Sequence, residues 1–290
     1  MTALVTGAGG FLGRHVVARL RELSIPVETL GRTGSIVLAD PGDTGAIHAA
    51  MQAVRPSLVF HLAGTTKAVP LEDAYRVNVL FGAHLLAAAR ALPAPPRVLL
   101  AGSAAEYGSV SKAALPLTED ATCNPRSVYG ITKLAQTMHS LAAADVLPIV
   151  IVRLFNLVGG GMPPHLALGA FAAQIRALPS TGGVLRTGAL ERWRDFVEAG
   201  PAAAVLVDLV RDPAATGKVI NVCSGVPTSL AALTQALIAA AGRPIRIQEE
   251  AGRDGNSDAI HHWGSAARLA ALGHHLPPPD PYRVAVALLG

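Results

Sequence analysis

Tyr129 and Lys133 stand four residues apart in a segment whose apolar spacing predicts a helix over 127–145. Side chains four apart share one face of a helix, so a phenol and an ammonium are expected side by side. A phenol ionises at about pH 10 in water, and nearby positive charge lowers that pKa. The spacing therefore predicts a proton-transfer pair, with an ordinary surface pair on a helix as the alternative.

Ser103 follows a run of mostly apolar residues, 98–102, that predicts a buried strand. Ligands of open α/β sheets bind at the carboxyl ends of the strands, so this strand would place Ser103 at a ligand site. Its hydroxyl can donate to a substrate carbonyl while Tyr129 delivers a proton. Glu106, three residues on, is predicted either to line the substrate pocket or to close its own loop by a hydrogen bond.

Gly7, Gly10 and Gly13 lie where a predicted strand over 3–5 gives way to a predicted helix over 11–23. Glycines in this position allow a tight turn, a close approach to a pyrophosphate and close helix packing. The N–H groups at the start of the helix then attract the negative charge. The pattern predicts a dinucleotide site, and a glycine-rich turn that binds nothing is the alternative.

The second predicted strand, 27–30, ends at Gly31 and Arg32. Dinucleotide-binding folds place an acid at this point to hold the adenosine ribose, whereas an arginine accommodates a 2′-phosphate. Arg32 therefore predicts a preference for NADP(H), with NAD(H) possible, and a solvated loop arginine is the alternative. Glu28 is the nearby acid, but its position inside the strand makes it a poor ribose ligand.

Further strands and helices alternate along the chain. The predicted strands are 36–39, 58–63, 98–102 and 148–154, and the predicted helices between them are 44–54, 71–91 and 127–145. Continuous apolar strands without period-two alternation are typical of parallel sheets that helices cover on both faces. The fold class predicted is α/β, a doubly wound parallel sheet.

These motifs together resemble the extended short-chain dehydrogenase/reductases, also called the NAD-dependent epimerase/dehydratase family. The resemblance is carried by Thr6-Gly7-Ala8-Gly9-Gly10-Phe11-Leu12-Gly13, His61-Leu62-Ala63-Gly64, Asn78, Ser103, Tyr129-Gly130-Ile131-Thr132-Lys133 and Arg153-Leu154-Phe155-Asn156. It implies a Rossmann domain over 1–162, and the chain returns to this domain over residues 194–224. A smaller C-terminal substrate lobe over 163–290, mainly 163–193 and 225–290, would complete the chain.

The resemblance also implies roles for individual residues. Ser103, Tyr129 and Lys133 would be catalytic, and Lys133 would also bind the nicotinamide ribose. Asn78 would order a loop or the active-site helix. The implied cofactor contacts are Gly7, Gly10, Phe11 and Leu12 to the pyrophosphate, Asp40 to the adenine, and Leu62 and Ala63 to the middle of the cofactor.

Four further segments narrow the resemblance: Gly102-Ser103-Ala104-Ala105-Glu106-Tyr107-Gly108, Phe155-Asn156-Leu157-Val158-Gly159, Arg194-Asp195-Phe196 and Asn221-Val222-Cys223-Ser224-Gly225. They are most similar to the GDP-6-deoxymannose reductases, which implies an NADP(H)-dependent reductase of a 4-keto sugar. Its substrate contacts would include Glu106 and Asn156, with Arg194, then Arg186, then Arg253 ranked as ligands of a nucleotide diphosphate. The indole of Trp193 is a candidate to stack on a sugar or base. The alternatives are a nucleotide-sugar 4-epimerase that retains NAD, a ketone reductase of secondary metabolism, and a non-enzymatic NADP sensor.

Composition limits the partners. The 290 residues carry 24 lysines and arginines against 20 acids, a net charge of +4 without a basic block, which argues against nucleic acid. The apolar runs are too short or too interrupted to span a membrane, and the early first strand leaves no room for a signal peptide, so a cytoplasmic location is expected. Two cysteines without metal spacing predict no metal site. The family resemblance implies a homodimer through 71–91 and 127–145.

Overall fold

The computed structural model describes residues 1–67, 69–250 and 260–290. The strands are β1 (Ala3–Thr6), β2 (Val27–Gly31), β3 (Ile36–Val37), β4 (Leu58–His61), β5 (Arg97–Ser103), β6 (Ile149–Leu154), β7 (Asn156–Val158), β8 (Gly183–Thr187), β9 (Trp193–Glu198), β10 (Val219–Val222), β11 (Pro227–Ser229), β12 (Ile245–Glu249) and β13 (His261–His262). The predicted strands are all present, with ends shifted by one or two residues.

A seven-stranded parallel sheet organises the first three quarters of the chain. Its strand order is β10-β6-β5-β4-β1-β2-β3, which contains the 3-2-1-4-5-6 order of dinucleotide-binding folds. The order reverses between β1 and β4, and ligands of such sheets bind at that switch point. The predicted fold class, a doubly wound parallel α/β sheet, is confirmed.

Helices cover both faces of this sheet. The described residues form the helices α1 (Phe11–Glu22), α2 (Thr44–Val54), α3 (Leu71–Tyr75), α4 (Phe81–Arg90), α5 (Val128–Ala143), α6 (Ala167–Ala177), α7 (Ala199–Arg211), α8 (Leu230–Ala240), α9 (Ala267–Ala271) and α10 (Pro281–Leu289). On one face, α1 and α7 bury residues such as Val16 and Leu206, and on the other, α2 and α4 bury Met51 and Leu85. None of the described helices is long and apolar enough to cross a membrane.

The predicted helix over 71–91 is interrupted. A π-helical turn, Arg76–Leu80, separates α3 from α4. Asn78 lies in this turn, where its amide bonds the backbone of Thr65 and the Thr132 hydroxyl. The extra residue of a π turn turns Asn78 inward, and such turns are frequent at functional sites. Asn78 therefore joins the loop after β4 to α5.

The remaining strands form two small sheets. β9 pairs with β7, β11 and β13, and β8 pairs with β12. A separate apolar cluster, with Phe171, Leu233 and Val284 among its members, joins α6, α8 and α10. These elements place a second layer of structure next to the carboxyl edge of the seven-stranded sheet, through β7, which directly follows β6.

Candidate active site

The glycine-rich turn connects β1 to α1. Gly7 has φ +70°, and a Cβ on it would lie 2.7 Å from the backbone N of Ala63. A Cβ on Gly13 would lie 2.1 Å from the carbonyl oxygen of Gly7. Only glycine fits at both positions, because the turn packs directly on its own helix and on the segment after β4. Phe11 and Leu12 thereby come to the first turn of α1, at the switch point of the sheet.

The start of α1 fits a dinucleotide phosphate. Gly10 is its N-cap and offers no side-chain hydrogen bond, and the first turn holds no acid. The N–H groups of a first helical turn have no partner within the helix, so an uncapped helix start suits an anion. Leu62 and Ala63 run beside the turn, since their N–H groups bond the carbonyl and hydroxyl oxygens of Thr6.

Arg32 lies in the exposed turn between β2 and β3, next to the glycine turn. A Cβ on Gly9 would approach the Thr33 hydroxyl at 3.8 Å, and one on Gly31 would meet nothing within 4 Å. This open space beside a guanidinium fits an adenosine 2′-phosphate. Glu28 is held elsewhere, because its carboxylate accepts the Ser35 hydroxyl at 2.6 Å.

Asp40 lies farther along the same edge. Its carboxylate accepts the N–H of Gly42 at 2.8 Å and pairs with Arg76 at 3.3 Å. It faces a cavity of about 550 Å³ beside α3 and the π turn. Its predicted contact with the adenine stays a prediction.

Ser103 is the last residue of β5 and caps the 3-10 turn that follows, Ala104–Tyr107. Its hydroxyl oxygen accepts the N–H of Ala105 at 3.1 Å, and the Glu106 carboxylate accepts the N–H of Ser103 at 2.8 Å. This reciprocal capping box fixes both the backbone and the side chain of the serine. Since its oxygen is engaged as an acceptor, the Ser103 O–H hydrogen is left to donate.

The start of α5 packs against this same 3-10 turn. Ser127 caps the helix by accepting the N–H of Gly130 at 3.1 Å. A Cβ on Gly130 would lie 2.5 Å from the carbonyl oxygen of Ala105, so only glycine permits this approach. The close contact brings Tyr129, the second residue of α5, to Ser103.

The phenol of Tyr129 is protonated at neutral pH. Burial raises its pKa above the usual value, the Ser103 hydroxyl lowers it, and the Glu106 carboxylate raises it again. A lowering of the phenol pKa by the Lys133 ammonium stays a prediction. A protonated phenol next to a hydroxyl donor can give a proton to a carbonyl oxygen and hold that oxygen in place.

Lys133 is 3% exposed and one helical turn beyond Tyr129. Its ammonium donates to the carbonyl oxygen of Ala101 at 2.6 Å and to the side-chain oxygen of Gln136 at 2.8 Å. Burial lowers its pKa to about 8, and the Glu106 carboxylate opposes this. A Cβ on Gly64 would lie 3.4 Å from the ammonium, so Lys133 reaches the loop after β4 as well.

This pKa gives stability a pH dependence. Between pH 8 and 10.5, the native Lys133 is deprotonated while the unfolded lysine is protonated. The unfolded state then binds more protons, so the free energy of unfolding rises with pH across this window, by up to about 3 kcal/mol. Urea titrations of wild type and Lys133→Met at several pH values measure this rise as a difference between the two proteins. If the free energy of unfolding changed with pH in the same way for both proteins, the expected rise would be contradicted.

Ser103 and Tyr129 share the wall of one cavity of about 290 Å³. Two predicted substrate residues, Asn156 and Arg194, line it as well. Asn156 is held by its amide, which donates to the carbonyl oxygen of Asp195 at 2.9 Å. Burial next to Arg192 lowers the pKa of Arg194 to about 10, which still leaves the guanidinium charged at neutral pH.

Two further residues on the cavity wall are not identified by the sequence pattern, Arg126 and His262. Arg126 directly precedes the cap of α5, and its position just before the predicted active-site helix could have indicated a place at the site. Nothing in the sequence around His262 indicates such a place, because only the pairing of β13 with β9 sets it beside Arg194. Burial lowers the pKa of His262 to about 4, with Arg194 as a second cause, so its ring is neutral.

Two predicted substrate residues lie away from this cavity. Glu106 is completely buried behind Ser103 and pairs with Arg153, so the structure supports the loop-closing alternative and not a substrate contact. Arg186 lies on β8, in the separate two-stranded sheet, where it pairs with Glu250. Arg253 lies outside the described residues.

Trp193 does not line the cavity either. Side chains alternate along a strand, so on β9 Trp193 points to the face opposite Arg194. β13 follows the same register, with His261 beside Trp193 and His262 beside Arg194. A stacking role for the indole inside the cavity is therefore not supported.

Similarity to known proteins agrees with this geometry. Residues 3–223 match the family model described as "Epimerase: NAD dependent epimerase/dehydratase family". The GDP-6-deoxy-D-mannose reductase of Pseudomonas aeruginosa is 29% identical over 276 residues, 91% of this chain and 88% of that protein. The dTDP-6-deoxy-L-talose 4-dehydrogenase (NAD(P)(+)) of Kitasatospora kifunensis is 31% identical over 264 residues, 87% and 82% of the two chains.

A solved structure of RMD from Pseudomonas aeruginosa, complexed with NADPH, superposes with a TM-score of 0.86 at 25% identity, covering 100% of this chain and 98% of that one. The glycine turn, the hydroxyl and phenol on one cavity wall, and the family match over most of the chain lead to one conclusion. The protein belongs to the NAD-dependent epimerase/dehydratase family, the extended short-chain dehydrogenase/reductases, and is an NAD(P)-dependent oxidoreductase.

Proposed function

We propose that the protein reduces the 4-keto group of a nucleotide-linked 6-deoxy sugar with NADP(H). The observation that carries this proposal is the cavity whose wall brings together the Ser103 hydroxyl and the Tyr129 phenol. The similarity to a GDP-6-deoxy-D-mannose reductase and to a 6-deoxy-L-talose 4-dehydrogenase supports the substrate class.

Each catalytic side chain has one task in this mechanism. The bound cofactor supplies a hydride to the keto carbon. Tyr129 gives its proton to the keto oxygen, and Ser103 donates a hydrogen bond to the same oxygen and stabilises the charge that develops there. Lys133 holds the nicotinamide ribose and adds a positive charge below the phenol. Burial raises the pKa of the Tyr129 phenol, so the phenol holds the proton that it gives.

The far end of the cavity suits an anion. Arg126 and Arg194 lie on its wall, and no carboxylate does among the described residues. Guanidinium groups bind phosphates through paired hydrogen bonds, so these two arginines are placed to hold the diphosphate of a nucleotide sugar. Asn156 and the neutral His262 can each donate to or accept from sugar hydroxyls.

Arg32 decides the preference for NADPH in this proposal. Loss of a charge-assisted bond to the 2′-phosphate costs about 1.5–3 kcal/mol, so Arg32→Ala should weaken NADPH binding about tenfold to a hundredfold. Binding of NADH should stay the same, because NADH has no such phosphate. Fluorescence titration with both cofactors measures this, and Arg21→Ala, an exposed arginine in the last turn of α1, is the control. Equal losses for NADPH and NADH would refute the assignment.

The activity is tested by oxidation of NADPH with GDP-4-keto-6-deoxymannose generated in place. Turnover that prefers NADPH over NADH supports the proposal. Tight NADPH binding without turnover moves the substrate to another ketone, as expected for a reductase of secondary metabolism. Purified protein that carries tightly bound NAD points to the 4-epimerase instead, because an epimerase keeps its nucleotide between turnovers.

A homodimer through α3, α4 and α5 is part of the proposal. These helices pack against one another, and large apolar side chains remain exposed on α3, the π turn and α5. The exposed residues are Leu71, Tyr75, Leu80, Val128, Ile131, Met138 and Leu141. Apolar patches of this kind mark interfaces between subunits. A second copy of the chain would cover them with the same face, giving a symmetric interface.

The interface is tested by Met138→Glu. Light scattering should give twice the mass of the 29.7 kDa chain for wild type and one chain mass for the variant, because a buried charge disrupts an apolar interface. Val286→Glu on α10 is the matched control, since Val286 is 51% and Met138 59% exposed. A wild-type protein with one chain mass would contradict the proposed homodimer.

Two coarser features complete the proposal. The division into a dinucleotide domain, 1–162 with 194–224, and a substrate lobe, 163–193 with 225–290, is supported by β10, which closes the seven-stranded sheet, and by the separate apolar cluster of the lobe. A cytoplasmic location agrees with the supply of NADPH there and with Cys123 and Cys223, which form no disulfide.

A further inference from the structure

A buried ion pair stands directly behind the catalytic serine. Glu106 has no exposed surface and Arg153 is 5% exposed. The guanidinium Nε of Arg153 donates to the Glu106 carboxylate at 2.9 Å. Neither side chain lines the substrate cavity, so neither has a part in the mechanism above.

The Glu106 carboxylate links this pair to Ser103. One of its oxygens accepts the N–H of Ser103 at 2.8 Å, while the other accepts from Arg153. Arg153 is held in turn, since its second nitrogen donates to the carbonyl oxygen of Glu119 at 3.0 Å. The carboxylate lies against Gly102, where a Cβ would be 2.5 Å from its oxygen. The chain thus leaves room at Gly102 for this carboxylate.

Ionisation of the pair depends on its two members. Burial raises the pKa of Glu106, and Arg153 together with the N–H of Ser103 opposes this. Burial works against the charge of Arg153 too, but Tyr107 and Glu106 raise its pKa above the usual value. Each side chain therefore favours the charged form of the other.

Stability alone does not explain such a pair. Taking two charges out of water costs free energy that their attraction often fails to recover, and apolar side chains of similar volume are frequently as good or better. The feature that an apolar pair would lack is the acceptor for the N–H of Ser103. That acceptor sets the backbone of Ser103, and hence the direction of its hydroxyl.

We propose that Glu106 and Arg153 position the catalytic serine. Glu106 holds the Ser103 backbone so that its hydroxyl faces the keto oxygen, and Arg153 fixes the carboxylate of Glu106. The inference rests on the proposed reductase mechanism for its kinetic consequence, and on the contact between Ser103 and Tyr129 for its structural one.

Two double variants isolate the acceptor. Glu106→Leu with Arg153→Met removes both charges together, so no unpaired buried charge remains to unfold the chain. Glu106→Gln with Arg153→Met also removes both charges but keeps an oxygen for the N–H of Ser103. The first variant should lower kcat about tenfold to a hundredfold with KM within about twofold, because misplacement of a catalytic group acts on the transition state. The second should recover part of that loss, because it keeps the acceptor for the N–H of Ser103 but lacks the Arg153 that fixes it.

Thr234→Val is the matched control. The buried Thr234 hydroxyl donates to the carbonyl oxygen of Leu230 at 2.8 Å within α8, and it bonds none of Ser103, Glu106 and Arg153. This variant should keep kcat, whatever its effect on thermal stability. Wild-type kcat in the Glu106→Leu, Arg153→Met protein would overturn the inference and leave the pair a structural element. A loss of kcat that the glutamine variant does not recover would overturn it as well.

A second measurement needs no substrate. Protein labelled with ¹³C at Cζ of its four tyrosines gives one signal from Tyr129, assigned by its absence in Tyr129→Phe. Ser103→Ala should shift this signal, because the hydroxyl contacts the phenol. The leucine double variant should shift it in the same direction, and Thr234→Val should leave it in place. An unmoved signal in the leucine variant overturns the inference even if the substrate proves to be a different ketone.

Discussion

Tyr129→Phe should lower kcat by about a hundredfold or more and leave the affinity for NADPH within about twofold. The phenol is the acid of the proposed reduction, and its burial keeps it protonated at neutral pH. Phenylalanine preserves the ring and its packing at the start of α5 but has no proton to give. The loss should therefore fall on kcat, because the phenol acts mainly in the transition state.

Steady-state oxidation of NADPH, followed by absorbance, measures this effect, with cofactor affinity determined separately. Tyr282→Phe is the control, since Tyr282 is 61% exposed on α10, away from the cavity. The kcat of Ser103→Ala should lie between those of Tyr129→Phe and Tyr282→Phe, because this change removes a hydrogen-bond donor but keeps the phenol that gives the proton. Near-wild-type turnover by Tyr129→Phe would refute the assignment of the proton donor.

Gly13→Ala should abolish measurable NADPH binding, an effect of about a hundredfold or more. A Cβ there would lie 2.1 Å from the carbonyl oxygen of Gly7, and that atom belongs to the backbone, which has no freedom to turn away. Either the glycine turn or the start of α1 must move. Both movements take the N–H groups of the first helical turn away from the pyrophosphate.

Gly200→Ala is the matched control for this change. Gly200 also lies in a helix, α7, but its Cβ would meet nothing nearer than His15 at 4.0 Å. Alanine is favoured over glycine in a helix by up to about 1 kcal/mol, so this variant should be slightly more stable than wild type. Fluorescence titration with NADPH and thermal unfolding compare the two. Equal binding by Gly13→Ala and wild type would contradict the close packing of the turn.

The fold was largely predictable because its signals are local. Short apolar runs such as 98–102, which alternate with helical patterns, predict buried strands. Glycines at 7, 10 and 13 suit a tight strand-to-helix turn. The exception is the helix predicted over 71–91, which contains a π turn. Its cause is not local, since Asn78 bonds to Thr65 and Thr132, and no helix periodicity reports contacts of that kind.

The site was predictable in part. Ser103, Tyr129, Asn156 and Arg194 lie on one cavity wall, as expected for residues at the carboxyl ends of neighbouring strands and the helix beside them. Arg186 was expected there too, but β8 pairs with β12 and carries it elsewhere. The sequence of this lobe does not predict its strands clearly. It therefore does not decide on which face of the lobe a basic residue such as Arg186 lies.

The sequence by itself determined the alternation of strands and helices, the glycine turn that suits a dinucleotide, and the spacing of the tyrosine and lysine. These depend on contacts between residues close in the chain. Tertiary structure alone decided that Glu106 faces Arg153 and not the substrate, that His262 joins the cavity, and that Lys133 bonds Ala101 and not the phenol. The reason is physical: burial and long-range register select among side-chain positions that local propensity leaves equal in free energy.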